Sequence, residues 1–177
     1  MRSRYKVLEH STPHFITSTV VEWLPVFTSS TYCDLLIESL KFCRGQKGLK
    51  LYAFVIMDNH IHMVCYAENL PRLMQEFKSY TASRLIQSIE KSGNKRLLND
   101  LAYFKRHDKS ESRHQFWQEG YHPQAVTTEE IMNQKMEYLH FNPVRRGLVD
   151  KPEYWRYSSA SSFYGGVPVM DVDRIDV

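Results

Sequence analysis

The alternation of apolar and polar positions divides the chain into strand-like and helix-like runs before any chemistry is considered. Residues 14–21 alternate enough for a first strand, and Trp23-Leu24-Pro25-Val26-Phe27 reads as an apolar exit loop. A helix is predicted from a cap at Ser29 or Ser30, with Leu35, Leu36, Leu40 and Cys43 facing inward and a stop at Gly45. Residues 51–57 and 61–66 are rich in Val, Ile, Phe and Tyr, which suit a pleated, half-buried surface, and Asp58-Asn59 between them accommodates a tight hairpin turn. Asn69 then caps a long helix with Pro71 in its first turn, a buried stripe of Leu70, Leu73, Met74, Phe77, Leu85 and Ile89, and an end near Gly93. Residues 93–114 lose clean periodicity and are the expected mobile loop, although Leu97, Leu98, Leu101, Tyr103 and Phe104 are spaced for a short amphipathic helix. Residues 116–126 supply a fourth strand or a broken strand pair. A last helix opens after Thr127-Thr128, and Pro143 disfavours helix at Asn142 and should end it there. Strand, helix, strand, strand, helix, strand, helix is the order of an α+β fold with a split βαβ antiparallel sheet.

The chemistry sits in two of these elements. Side chains alternate along a strand, so in LYAFVIMDNHIHMVCYA the residues His60, His62, Val64 and Tyr66 share one face, while Ile61, Met63 and Cys65 go to the other. Two imidazoles then point together, either as half-exposed histidines paired to a carboxylate or carbonyl, or as metal ligands. In the last helix, Ile131, Lys135, Tyr138 and Asn142 form one row of three- and four-residue steps. Tyr138 offers a phenol and Asn142 an amide oxygen one turn later, on a face that fits against the histidines. Taken singly, Tyr138 is an ordinary core aromatic and Asn142 an ordinary helix cap. Their pairing with the histidines makes a four-member site.

These residues resemble the REP-associated tyrosine transposases, a branch of the single-tyrosine HUH transposases of bacterial insertion sequences. The matching pieces are HFITSTVVEWLPVF, VIMDNHIHMV, FKSYTAS, FWQEGYHP and, above all, KMEYLHFNPVRRGLVDKPEYWRYSSA, which run along nearly the whole chain in the family's order. The resemblance implies a ferredoxin-like fold in which His60 and His62 are the HUH metal pair, Tyr138 the nucleophile and Asn142 the third ligand. It also implies single-stranded DNA as substrate, in hairpins of repetitive extragenic palindromes, and a 5′-phosphotyrosine intermediate. The family usually has Pro where this chain has Asp58, a change expected to alter the turn and leave the ligands alone.

Imidazole and amide ligands without thiolate favour Mg²⁺ or Mn²⁺ at a phosphodiester, with zinc less suited. A phenol is mostly protonated at neutral pH and needs a neighbouring cation, base or metal-bound hydroxide to become a nucleophile, for which Lys135 is a candidate. Two other classes compete. A four-stranded split βαβ sheet is a common non-catalytic binder of single-stranded nucleic acid, but it works through an aromatic stripe that these strands lack. A zinc hydrolase wants a carboxylate or a third histidine at ligand spacing.

Composition adds limits. With 177 residues the chain suits one domain, a catalytic body at about 13–148 and an irregular tail at 149–177 that wraps the body, with acidic residues 167–177 expected to be disordered. No apolar run approaches a membrane span, and the first fifteen residues lack the apolar centre of a signal peptide, so a bacterial cytoplasmic location is expected. Cys33, Cys43 and Cys65 are widely spaced and read as small core residues. A net charge of +3 with a pI of 8.7 is compatible with nucleic acid but far from the excess of a nonspecific duplex binder. Placement says more: Lys105, Arg106, Lys109 and Arg113 cluster in one segment, and Lys78, Arg84, Trp117, Lys135, Arg145 and Arg146 are the candidate DNA contacts, although core packing is the favoured reading of Trp117. A homodimer is compatible with the sequence.

Overall fold

A computed structural model describes residues 12–105 and 113–175. Strands β1 (His14–Thr19), β2 (Lys50–Ile56), β3 (His60–Tyr66) and β4 (Gln124–Ala125) form an antiparallel sheet in the order β2-β3-β1-β4. That order is the split βαβ arrangement, with the hairpin strand β3 inserted beside β1 and helix α1 (Ser30–Gln46) carrying the chain from β1 to the outer strand β2. The pairing sets Thr17 opposite His62 and Thr19 opposite His60. Cross-strand partners point to the same face, so β1 shares its threonine row with the histidines.

The two faces are covered differently. Ile16, Ile61, Met63 and Cys65 pack under α1 and helix α2 (Leu70–Lys91) in the larger core. Phe15, Val55 and Val64 face the other way, against Met132, Met136 and Leu139 of helix α4 (Glu129–His140). The stripe predicted for α2 is buried throughout, and Asn69 Oδ1 caps the helix by accepting from the Arg72 amide. Helix α1 passes through Gly45; the chain turns instead at Gly48, at φ 70°, a left-handed position that a glycine takes without a Cβ clash.

Residues 116–126 follow β1 without forming one regular strand. The Val21 amide bonds to the Phe116 carbonyl, Gln118 N to Thr19 O, Thr17 N to Tyr121 O and Val126 N to Pro13 O, all within 2.8–2.9 Å. Left-handed residues at Gly120 and His122 interrupt the ladder between them. The predicted short helix exists as α3 (Lys95–Tyr103). Residues 106–112 of the expected mobile loop, with Arg106 and Lys109, lie outside the described residues.

After α4, a single turn α5 (Asn142–Arg145) follows at once, and the tail then covers the outer edge of β2. The Ile56 amide donates to Tyr157 O, Ser159 N to Phe54 O, and farther along Asp173 N to Leu51 O. A short helix α6 (Ala160–Tyr164) lies between these contacts. The acidic end of the chain is therefore docked as far as Asp173: Met170 is buried, and Arg44 Nε and Nη2 each bond Asp173 at 3.0 Å. Disorder was expected from composition; an edge strand in need of partners and one bidentate ion pair give the opposite result.

Candidate active site

The hairpin and α4 bring the histidines and the tyrosine together. His60 Nε2 and His62 Nε2 are 3.1 Å apart. Each ring is held from behind: Asn59 Oδ1 lies 2.6 Å from His60 Nδ1, and Thr17 Oγ1 lies 2.7 Å from His62 Nδ1. The Asn59 amide nitrogen donates to the Trp23 carbonyl at 3.2 Å, so its oxygen must face the imidazole and accept from Nδ1–H. The Nε2 lone pair of His60 is then turned into the site. Burial holds His60 down to about 4, with Arg146 adding to the effect and Asp58 opposing it. Burial also holds His62 down to about 3, helped by His60 and Lys135. Both imidazoles are neutral at physiological pH, the form that binds a metal.

Tyr138 lies against this pair. Its ring centroid is 5.6 Å from that of His62 and 5.9 Å from that of Phe15, both edge-on, while Phe15 and His62 stack at 5.2 Å. The buried stripe of α4 is Met132, Met136, Leu139 and His140. The row Ile131, Lys135, Tyr138, Asn142 borders that stripe, which leaves Tyr138 44 % exposed at the edge of the contact, where an external phosphate can reach it. Asn142, half-buried, opens α5, so α4 ends two residues before it and the chain continues as helix after Pro143 instead of leaving it.

The six candidate DNA contacts divide by position. Lys135, Arg145 and Arg146 rim the site: Lys135 Nζ is 2.7 Å from Gln124 Oε1 and 5.0 Å from the Phe15 ring centre, Arg145 lies over the Tyr138 ring at 5.5 Å, and Arg146 pairs with Asp58 at 3.2 Å. The other three stand elsewhere. Trp117 is in the core with its indole N–H on Thr81 Oγ1 at 3.0 Å, so no base stacks on it in this fold. Lys78 donates to the carbonyls of Gln118 and Gly120, tying the broken fourth strand to α2. Arg84 borders a groove between α1 and α2, on the sheet face away from the histidines. Thr17 and Asn59, which orient the imidazoles, were not candidates. Asn59 had a signal in its place beside His60, whereas Thr17 depends on a strand register that no local pattern reveals.

The family model "Transposase IS200 like" matches residues 10–142, and the chain belongs to that family, whose members act in DNA transposition. Among solved structures it is similar to a REP-associated tyrosine transposase bound to a REP hairpin, at 16 % identity and a TM-score of 0.64, covering 99 % of this chain and 96 % of that one. It shares that protein's fold. A transposase from Deinococcus radiodurans R1 matches at 16 % identity over 76 % of this chain and 94 % of that one, with a TM-score of 0.45. No curated protein matches the chain. Among the described residues no helix is long and apolar enough to cross a membrane.

Proposed function

We propose that the chain is a metal-dependent single-stranded DNA nicking and strand-transfer enzyme, with Tyr138 as nucleophile and His60, His62 and Asn142 as ligands of one Mg²⁺ or Mn²⁺ ion. The observation that carries this reading is the pair of Nε2 atoms 3.1 Å apart beside the Tyr138 ring. Two imidazole nitrogens this close would both reach one divalent ion, so the pair fits a shared ligand role. Among the described residues no three His, Cys, Asp or Glu side chains converge on one point. Asn142, one turn beyond Tyr138, would supply an amide oxygen as the third ligand. The same donor set disfavours a zinc hydrolase.

The bound ion supplies Lewis-acid stabilisation of the charge on the scissile phosphate. The chain's own residues do the rest. Thr17 and Asn59 fix the imidazole orientations. Tyr138 Oη attacks phosphorus, the bond to the 3′ oxygen breaks, and the phenol proton is lost while the 3′ oxygen gains one. The products are a 5′-phosphotyrosine and a free 3′ hydroxyl, and reversal against another end joins the strands without ATP. Lys135, held by Gln124, and Arg145, over the phenol ring, supply positive charge at the rim for the incoming backbone. A single strand reaches this recess more easily than a stacked duplex, and the likeness to a hairpin-bound protein favours palindromic hairpins with unpaired flanks as substrate. The competing reading, a non-catalytic single-strand binder, needs an open sheet face. Here α1 and α2 cover one face and α4 lies on the other.

The test is a hairpin oligonucleotide library with single-stranded flanks, incubated with Mg²⁺ or Mn²⁺ and resolved on a denaturing gel. The wild type gives a protein–DNA adduct that EDTA abolishes; Tyr138→Phe binds DNA and gives none. An adduct from that variant moves the nucleophile elsewhere, and binding without any cutting favours the non-catalytic module.

A further inference from the structure

The loop leaving β1 holds two consecutive non-glycine residues in the left-handed region, Glu22 at φ 47° and Trp23 at φ 53°. That conformation drives Cβ towards the next carbonyl, and a bulky residue in it is an outlier. Both sides of the tip are anchored, with Val20 and Val21 buried before it and Val26 and Phe27 after it. The Trp23 amide donates to Val20 O at 3.1 Å and the Leu24 amide to Val21 O at 3.2 Å, which closes the turn on itself. The outcome is an indole 61 % exposed, at the tip of a loop whose apolar flanks are inside. Packing alone would have turned the largest apolar side chain of the loop inward. Strained residues persist where the surrounding structure fixes them, and they gather at functional sites.

The backbone that carries this indole is also fixed. The Trp23 carbonyl accepts from Asn59 Nδ2, and Asn59 Oδ1 is the atom that holds His60 Nδ1. The Val20 amide bonds to Asn59 O and the Phe27 amide to Asp58 O, at 2.9 and 2.8 Å. The loop is thus strapped to the turn that precedes His60, and the Trp23 carbonyl stands two hydrogen bonds from an imidazole of the proposed cleavage site.

We propose that Trp23 is a stacking platform for one unpaired base next to the scissile phosphate. This rests on the reading of the His60–His62–Tyr138 cluster as a single-strand cleavage site and adds to it a contact that positions the strand. An aromatic face accepts any base, so the contact sets register more than sequence. The carboxylate of Glu22 beside it repels phosphate, which leaves the base and not the backbone to meet the loop. Trp23 binds substrate and takes no part in the proton or phosphoryl steps.

The experiment uses the full chain and a hairpin oligonucleotide on which wild-type nicking has been mapped, together with a series carrying one abasic site at each unpaired position around the nick. Trp23→Ala and Trp23→Leu should raise KM about 5- to 150-fold, the range of one lost base stack, with kcat within about twofold; Trp23→Phe should keep most of the affinity. In the wild type one abasic position near the nick should carry the same penalty, and at that position alone Trp23→Ala should add nothing. Wild-type KM in Trp23→Ala, or a penalty that adds to every abasic site alike, overturns the proposal. Binding is read separately in Tyr138→Phe, which does not cut. With Trp117 buried and Trp155 half-buried, DNA-induced quenching of tryptophan emission should vanish on adding Trp23→Phe, and unchanged quenching overturns the proposal even if no variant cuts. Loss of nicking in the wild type, by contrast, counts against the cleavage reading itself.

Discussion

At the scale of single residues, the imidazole pair is held by groups behind it. Thr17 Oγ1 lies 2.7 Å from His62 Nδ1, and a partner of this kind fixes ring orientation and raises the basicity of the opposite nitrogen. Thr17→Val keeps shape and β-branching but removes the oxygen. It should lower nicking about 10- to 100-fold at limiting Mn²⁺, with partial recovery at high Mn²⁺. A metal titration of the nicking rate checks this, and an unshifted titration curve denies Thr17 its orienting role. His140, two residues past Tyr138, has a structural part. It is 1 % exposed and lies 2.8 Å from Ser159 Oγ, which also accepts from the Phe54 amide. An imidazole in the unfolded chain titrates near 6.5, while burial holds His140 down to about 4 in the fold. Between those values the unfolded chain binds a proton that the native chain does not, so stability is full above pH 6.5 and falls as the pH drops towards 4. Urea midpoints at pH 7 and pH 5 should therefore differ, and His140→Gln should reduce that difference. An equal difference in both proteins would sink the assignment.

At the scale of elements, what the sequence could show was periodic and what it could not was a matter of pairing. The stripe Leu70, Leu73, Met74, Phe77, Leu85 and Ile89 announces α2, and the alternation of His60 and His62 against Ile61 and Met63 announces a strand with two different faces, because burial of one side writes a period into the chain. The row from Ile131 to Asn142 was legible from helical spacing alone, since the buried stripe of α4 is the neighbouring one, Met132, Met136, Leu139 and His140. The fourth strand was legible only as a broken one, since Gly120 and His122 interrupt it and β1 supplies the partners. The tail had no period to read. Its contacts are backbone bonds to the edge of β2 and the Arg44–Asp173 pair, which spans 129 residues of sequence. Asp173 also accepts from the Leu51 amide at 2.7 Å; burial raises its carboxyl, but these bonds and the Arg44 charge together hold it below its ordinary range. Asp173→Ala takes the carboxylate from the Leu51 amide and from Arg44, which keeps only its bond to the Asp171 carbonyl, and should lower stability by about 1–2 kcal/mol, less than a fully buried pair because Arg44 and Asp173 remain about a quarter exposed. Urea unfolding measures this, and an unchanged midpoint would mean that the tail contributes nothing to the edge it covers.

At the scale of the whole molecule, the question is whether one chain completes its own site. The ring of Tyr138 meets Phe15 and His62 of the same chain, and α4 is tied to its own sheet at both ends. Before α4, the Val126 amide bonds to Pro13 O, with only Thr127 and Thr128 left to reach the helix. After α4, Ser159 bonds to Phe54 on β2 through both its amide and its hydroxyl. Exchange of α4 with the tail that follows it would have to open the chain at Thr127 and Thr128, a two-residue connection and not a long hinge of the kind that domain swapping uses. The nucleophile and the imidazole pair are therefore expected to act in cis, whether or not the protein dimerises. Mixing His62→Ala with Tyr138→Phe separates the cases, since each variant keeps what the other lacks. In a shared site the mixture regains a clear fraction of the wild-type adduct; in a cis site it gives no more than the sum of the two variants alone. The second result is expected at every protein concentration, and recovery on mixing would show that the tyrosine beside His62 comes from a partner in the active form.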